Sequence, residues 1–460
     1  MVKSLLLALV LSTTPPAVPA DLTTTEVSFP GHGITLHGTV VSPAEAPPGR
    51  PGIVLIHGSG SGNKRTTLMT EAVAFARQGL SVLVYDKRSA GYSLTRRSYQ
   101  ELATDALGAV GALRGRPGVD PGKVGVLGIS EGGWVAPLAA SRSEQVAFVV
   151  TVGGNAMEPL RQQSWAVADS LRRAGVSGSL PGHAVPSFYR LLADGGMFAE
   201  AHHDAAGVLG RVRQPVLGVW GDGDLLTPPQ ETPGLMARAL SHDHYTLRFF
   251  AGAEHAAHVT HDGGVTRSEE LAPGYAESVG RWVGEVTSGR LPRGEQVGTL
   301  PRQTSLTVPV PPMAWWESAA AQLAALALFA VILAGYPLWA LARRVRNRGV
   351  GVRGAVVRGG RAARVLALLA PLTAFGAQAY LMYLVITGAE LATPGPLLFG
   401  RPLPWLGLQL LAVAALVAAA LTVPAWRRAR GSERVRLGVL LTGGALFLPW
   451  ALYWGLLTPL

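Results

Sequence analysis

Four long uncharged apolar stretches crowd the last third of this chain, at residues 318–342, 365–389, 402–426 and 437–460. Each exceeds the roughly 20 residues that carry a helix across a bilayer. A single stretch of this kind could be the buried helix of a large soluble core. Four in series fit a membrane region, and we expect four transmembrane helices. The residues before them alternate strand-like and helical runs with ordinary polar faces, so the 460 residues divide into two regions suited to different solvents.

The net charge of +11 points first to nucleic acid, and its distribution removes that reading. From Arg302 onward 15 Arg and no Lys stand against 3 Glu, a balance of +12, which leaves −1 for everything before it. Within the apolar region the charge gathers in two loops. Arg343, Arg344, Arg346, Arg348, Arg353, Arg358, Arg361 and Arg364 join the first two stretches. Arg427, Arg428, Arg430, Arg434 and Arg436 join the last two, whereas the middle loop holds only Arg401 and Glu390. The positive-inside rule places both Arg-rich loops in the cytoplasm and the segment before residue 318 outside. The N-terminus agrees: Lys3, an apolar run at 5–11, Pro15, Pro16 and Val18-Pro19-Ala20 make a secretory signal peptide of residues 1–20, too short in its apolar core to span. The expected protein is a multi-pass membrane protein with an extracytoplasmic domain at 21–288 and the lipid bilayer, not nucleic acid, as its partner. With no cysteine, the chain has neither a disulfide nor a lipidated cysteine anchor.

In the soluble region, residues 26–29 and 34–41 read as an opening hairpin around the turn at Gly31 and Gly33. Further strands are expected at 53–56, 81–85, 124–127, 146–152, 216–220 and 245–250, with helices at 68–78, 99–114, 231–240 and 275–287. Strands alternating with helices imply an α/β fold, a doubly wound and mostly parallel sheet covered on both faces. The interval 155–213 is too long for a connection and reads as a helical cap over the strand ends. Residues 289–317, with Pro292, Pro301, Pro309, Pro311 and Pro312, read as a linker ending at Trp315 and Trp316, where an interfacial aromatic belt belongs.

Gly128-Ile129-Ser130-Glu131-Gly132 follows the apolar run at 124–127 and opens a small-residue helix. This is Gly-x-Ser-x-Gly in strand–turn–helix context, which lifts a serine hydroxyl out of a sharp turn. Chance alone produces the pentapeptide readily in so glycine-rich a chain; its position in an ordered series does not arise so easily. Gly221-Asp222-Gly223-Asp224 follows the strand at 216–220, and Gly252-Ala253-Glu254-His255 follows the strand at 245–250. Nucleophile, acid and base thus occur in the order Ser, Asp, His, each after a strand, with Asp222 and Asp224 both available as the acid. The oxyanion donors are expected to be backbone amides: that of Glu131, and that of Ser59 in the loop His57-Gly58-Ser59-Gly60-Ser61-Gly62. The same loop lacks the endings of a P-loop and of a dinucleotide site. His255, His258 and His261 stand three apart beside Asp262, a spacing open to metal. The simpler reading is one catalytic histidine followed by two solvated ones. Arg88 and Asp86 read as a structural pair holding a turn, and Gln162, Gln163 and Trp165 of the cap as candidates to line an acyl pocket. We expect no cofactor and no metal.

Residues 26–287 resemble an alpha/beta hydrolase, closest to bacterial esterases of the dienelactone hydrolase type and to the catalytic domains of prolyl-oligopeptidase-like enzymes. The matching segments are His57-Gly58-Ser59-Gly60, residues 85–93 from Tyr85 to Ser93, Ser130-Glu131-Gly132-Gly133, Gly221-x-x-Asp224-x-x-x-Pro228 and Gly252-Ala253-Glu254-His255. The resemblance implies Ser130, His255 and Asp224, rather than Asp222, as the triad. Two positions depart from the family pattern: Ser89 stands where glycine is usual, and Ile129 where histidine is frequent. The implied activity is hydrolysis of small-molecule carboxylic esters through an acyl-enzyme. A serine peptidase shares the same triad, and a non-enzymatic extracytoplasmic sensor is the third reading.

Overall fold

The computed structural model describes residues 19–45, 47–93, 95–346, 360–387 and 394–458. Most of the expected signal peptide, most of the first Arg-rich loop and Glu390 lie outside the described residues.

Nine strands form one sheet in the order β1-β2-β4-β3-β5-β6-β7-β8-β9. The first two, β1 (Leu22–Pro30) and β2 (Thr35–Pro43), make the expected hairpin, and β2 runs antiparallel to β4 (Ser81–Tyr85). From there β4, β3 (Arg50–Ile56), β5 (Val119–Ile129), β6 (Val149–Val152), β7 (Val216–Gly221) and β8 (Tyr245–Phe250) pair in parallel. Alternate side chains feed two cores. Val54, Ile56 and Leu83 face one with α2 (Tyr99–Arg114) and α3 (Gly132–Ser141); Ile53, Leu55, Val82 and Val84 face the other with α1 (Met69–Arg77) and α8 (Tyr275–Thr287). Burial on both faces is why β3, β4 and β6 are near-continuous β-branched and apolar runs. The doubly wound, mostly parallel sheet expected of an alpha/beta hydrolase is therefore present.

Between β6 and β7 lie α4 (Pro159–Arg173), a π-helical turn at Leu180–Ala184, α5 (Val185–Asp194) and the short α6 (Ala205–Leu209). Helix α7 (Thr232–Ala239) follows β7. The segment read as a linker is more structured than its proline content suggests. It adds β9 (Glu295–Val297) beside β8, then runs along α4, where Trp165 Nε1 donates to the Ser305 carbonyl at 2.7 Å and Arg161 Nη2 to Thr307 Oγ1 at 2.6 Å.

Among the described residues the C-terminal region holds four apolar helices: α9 (Ala319–Arg346), α10 (Gly360–Ile386), α11 (Leu403–Arg428) and α12 (Gly431–Tyr453). Among the described residues three of them, α10, α11 and α12, are long and apolar enough to cross a membrane, one fewer than expected. In α9 the described apolar stretch is Ala319–Ile332, within a helix that continues to Arg346. Polar side chains inside the bundle link its elements: Gln322 Oε1 accepts from Trp450 Nε1 at 3.0 Å and Trp454 Nε1 at 3.1 Å, and Gln409 Nε2 donates to the Gly455 carbonyl at 3.3 Å.

Helices α4 and α5 share a continuous apolar cluster with α9 to α12, separate from the two cores of the sheet. Polar contacts reinforce the junction. Ser177 N donates to the Gly400 carbonyl, Ser179 Oγ to the Gly455 carbonyl at 2.7 Å, the Ala319 amide to Asp194 Oδ2, and Arg190 pairs with Glu317 at 3.0 Å. The cap thus stands between the sheet and one end of the helical bundle. The Arg427–Arg436 turn between α11 and α12 lies at the opposite end of those two helices.

Candidate active site

Ser130 sits in the turn between β5 and α3 with φ of 56°, a left-handed conformation rare for a residue with a side chain. Its amide donates to the Val152 carbonyl at 2.9 Å, and its carbonyl accepts from Gly133 N at 2.7 Å, so the backbone on both sides is held. The flanking glycines are required by distance. A Cβ at Gly128 would lie 1.9 Å from the Gly132 carbonyl oxygen, and one at Gly132 would lie 2.6 Å from the Ile56 carbonyl oxygen. The turn therefore closes only with hydrogen at both positions.

The ends of β7 and β8 bring the other two candidates together. His255 Nδ1 lies 2.9 Å from both Oδ1 and Oδ2 of the buried Asp224 carboxylate. Asp224 Oδ1 also accepts from the amides of Leu226 and Thr227, which fixes the carboxylate edge-on to the ring. Asp222 is turned elsewhere, accepting from Gly252 N at 2.8 Å. The acid beside His255 is Asp224. Gly153 backs the ring so closely that a Cβ there would lie 2.5 Å from His255 Cε1.

Ser130, His255, Ser59 and His57 line one cleft of about 490 Å³ at the C-terminal ends of the strands. Arg173 of the cap and Arg267 also border it. His57 is part of the wall: burial pushes its pKa down to about 4, and its Nε2 donates to the Tyr85 carbonyl at 2.7 Å. A ring so disposed is neutral near pH 7 and is held away from proton transfer. Among the described residues the Ser59 and Glu131 amides have no internal acceptor, as oxyanion donors require.

The side chain of Glu131 has a role that the pentapeptide does not reveal. It is buried and accepts from Lys87 Nζ at 2.6 Å, Tyr92 Oη at 2.9 Å and Arg97 Nη1 at 2.7 Å. Lys87 Nζ donates in addition to the Gly58 carbonyl at 2.6 Å. One ammonium therefore ties together the two loops that carry the candidate oxyanion amides. Burial pushes the Lys87 pKa down and that of Tyr92 up to about 12. Lys87 and Tyr92 belong to the segment 85–93 that carried the family resemblance, which is the signal by which they could have been found.

Three expectations need correction. His258 is not solvated: it is buried, with Nε2 2.9 Å from Glu71 Oε1 and Nδ1 3.0 Å from the Ser268 carbonyl, beside Arg267. It packs the base of the loop that presents His255, whereas His261 is exposed. Arg88 does not pair with Asp86: its guanidinium grips Asp105 and Glu101 at 2.6 Å, and Asp86 faces Arg65. Trp165 borders a separate apolar cavity of about 230 Å³ between the cap and residues 306–311, while Gln162 and Gln163 border Ser130. Among the described residues no group of three or more His, Cys, Asp or Glu is placed to hold a metal ion.

No family model matches the chain. A curated relative, thiohydrolase aneE of Aspergillus aculeatus, is 32% identical over 106 residues, which are 22% of this chain and 33% of that protein; the match spans about a third of the relative's length. Solved structures similar to this chain include EstE1, a thermostable carboxylesterase from a metagenomic library, at 21% identity over 59% of this chain and 90% of that one, with a TM-score of 0.42. Dienelactone hydrolase from Anabaena variabilis is also 21% identical, over 59% of this chain and 99% of that one, with a TM-score of 0.37. 2,6-Dihydroxy-pseudo-oxynicotine hydrolase is 15% identical over 60% of this chain and 71% of that one, with a TM-score of 0.42.

Proposed function

We propose that this chain is an exported, membrane-anchored serine hydrolase acting on carboxylic esters. The observation that carries the reading is the Asp224–His255 pair beside a serine held at φ 56° in the same cleft. Ser130 Oγ attacks the carbonyl carbon while His255 Nε2 takes its proton. Asp224 holds Nδ1–H and so fixes the tautomer that leaves Nε2 free of its proton. The amides of Ser59 and Glu131 hold the oxyanion. His255 then returns the proton to the leaving oxygen, and water hydrolyses the acyl-enzyme. A thioester follows the same steps with sulfur as the leaving atom, and the thiohydrolase name of the curated relative makes thioesters the second substrate class to assay.

The test uses the full chain in detergent micelles, as wild type and Ser130→Ala, exposed to a fluorophosphonate and to p-nitrophenyl acetate. Labelling of wild type, with turnover reduced on the order of 10⁴-fold or more by Ser130→Ala, is the expected result. A folded wild type that is neither labelled nor active returns the chain to the sensor reading. Reporter fusions at the 343–364 loop and at residue 289 test the orientation: cytoplasmic signal at the first and exported signal at the second.

A further inference from the structure

Two cavities of very different size meet at Ser130. The larger is the cleft of about 490 Å³ bordered by His255. The smaller, of about 30 Å³, is bordered by Ser59, Ser130 and Glu131 on the catalytic side and closed by Arg97, Trp134, Gln162 and Gln163. Ser130 and Ser59 border both cavities; His255 borders only the cleft.

This asymmetry assigns the two ends of a substrate. An ester bound for attack straddles the nucleophile, acyl group to one side and leaving group to the other. The proton that releases the leaving group comes from His255. The leaving group must therefore occupy the cavity that His255 borders, and the acyl group the one it does not. A cavity of about 30 Å³ has room for about two water-sized groups. Its walls are fixed. Arg97 is held by Glu131 at 2.7 Å and by the Ala199 carbonyl, and Trp134 Nε1 donates to the Met157 carbonyl at 3.1 Å with its ring stacked on Tyr99. The Gln162 amide donates to the Leu226 carbonyl. Of these four side chains, Gln163 has no such tether among the described contacts.

Resting on the serine hydrolase reading, we propose that this enzyme removes acetyl-sized acyl groups from bulky alcohols or thiols. The Ser130 Oγ–acyl bond forms as the acyl–oxygen bond of the ester breaks, and the serine proton passes through His255 to the departing alcohol. Water then splits acetyl-Ser130 to acetate, restoring the hydroxyl. The leaving group is the large and variable part of the substrate, and the acyl group the small and selected one.

The experiment compares p-nitrophenyl acetate, butyrate, hexanoate and octanoate on the full chain in detergent, for wild type, Gln163→Ala and Gln163→Trp. Modification of Ser130 by diethyl p-nitrophenyl phosphate is followed in parallel by mass spectrometry. For wild type, kcat/KM should fall at least tenfold from acetate to butyrate and further to octanoate. Gln163→Ala should raise butyrate relative to acetate several-fold, and Gln163→Trp should lower acetate itself, with unchanged melting temperatures for both. Octanoate turned over as fast as acetate, with Ser130 modified, overturns the acyl assignment and leaves the hydrolase standing. Neither hydrolysis nor modification of Ser130 overturns the hydrolase reading, and this inference with it.

Discussion

The sheet and the helical bundle differ most at the α10–α11 seam and at their outer surfaces. In the sheet region, large side chains such as Phe75, Tyr99, Phe148 and Trp220 are fully buried, together with paired charges such as Lys87–Glu131 and Arg88–Asp105. In the bundle the α10–α11 seam is lined by alanine, where Ala363, Ala367, Ala370, Ala374 and Ala377 meet Ala412, Ala415 and Ala418, while Phe329, Trp405, Phe447 and Trp454 are buried elsewhere in its interior. Other large residues point outward, with Leu368 and Leu410 each 63% exposed and Val331 72% exposed. A water-soluble region hides its apolar bulk because burial removes it from water. A region surrounded by hydrocarbon gains nothing by hiding leucine, and instead brings backbones close through small residues. The exposed apolar faces of the long C-terminal helices fit insertion in a membrane, and the buried ionised networks around Ser130 all belong to the sheet and cap.

The sharpest way to break this comparison is to show catalysis depending on the wrong carboxylate or the wrong region. Asp224→Asn should lower kcat on the order of 10⁴-fold while Asp222→Asn changes it less than about threefold, measured with p-nitrophenyl acetate. Acid sensitivity should likewise reside in the sheet, since all 11 histidines precede residue 262. His57 has its pKa lowered to about 4 in the fold against an ordinary value near 6.5. Between those values the unfolded chain binds a proton that the folded chain refuses. The contribution is therefore fully present above pH 6.5 and is lost as pH falls towards 4, by about 3 kcal/mol at most. Hydrogen exchange at pH 7 and pH 5 should show β3 to β5 loosening while α10 to α12 do not, and His57→Asn should flatten the slope.

A smaller effect sharpens the role of Lys87. Lys87→Met removes the tie between the Gly58 carbonyl and Glu131 while Arg97 and Tyr92 still hold the carboxylate. We expect kcat to fall about 10- to 100-fold with KM little changed, because the oxyanion amides are used most in the transition state. An equal rise in KM would assign Lys87 to substrate binding. The mildest test concerns packing alone. Ala370→Leu should cost about 1–3 kcal/mol by overfilling the α10–α11 contact, whereas Leu368→Ala on the outward face should stay within about 0.5 kcal/mol, both read from thermal unfolding in detergent. Reversed values would mean that α10 faces water, not lipid.

What the sequence disclosed, it disclosed where the determining contacts are close along the chain. The helices at Tyr99–Arg114 and Tyr275–Thr287 are legible from periodicity because each buries one face, and the strands at Ser81–Tyr85 and Tyr245–Phe250 are legible as short apolar runs. The choice between Asp222 and Asp224 needed a family pattern, since two acidic residues in one turn differ only in which backbone amides they meet. The Glu71–His258 pair joins residues 187 positions apart, and the Lys87–Glu131 pair residues 44 apart. No local pattern marks such pairs, because the sheet order that brings them together is a property of the whole fold. The segment 289–317 misled for the same reason: its prolines break periodicity, but its hydrogen bonds run to a helix about 140 residues earlier, as from Trp165 to Ser305.

The serine turn also determines how this protein can recover from injury. A Cβ at Gly125 would strike the ring of Phe148, a side chain that a second substitution can shrink. A Cβ at Gly128 would strike a main-chain carbonyl, which no exchange of residues removes. In a genetic selection, loss of function by Gly125→Ala should be suppressed by smaller residues at position 148. Loss by Gly128→Ala should be repaired by true reversion alone, so the support of the proposed nucleophile is the part of the molecule with no alternative route back.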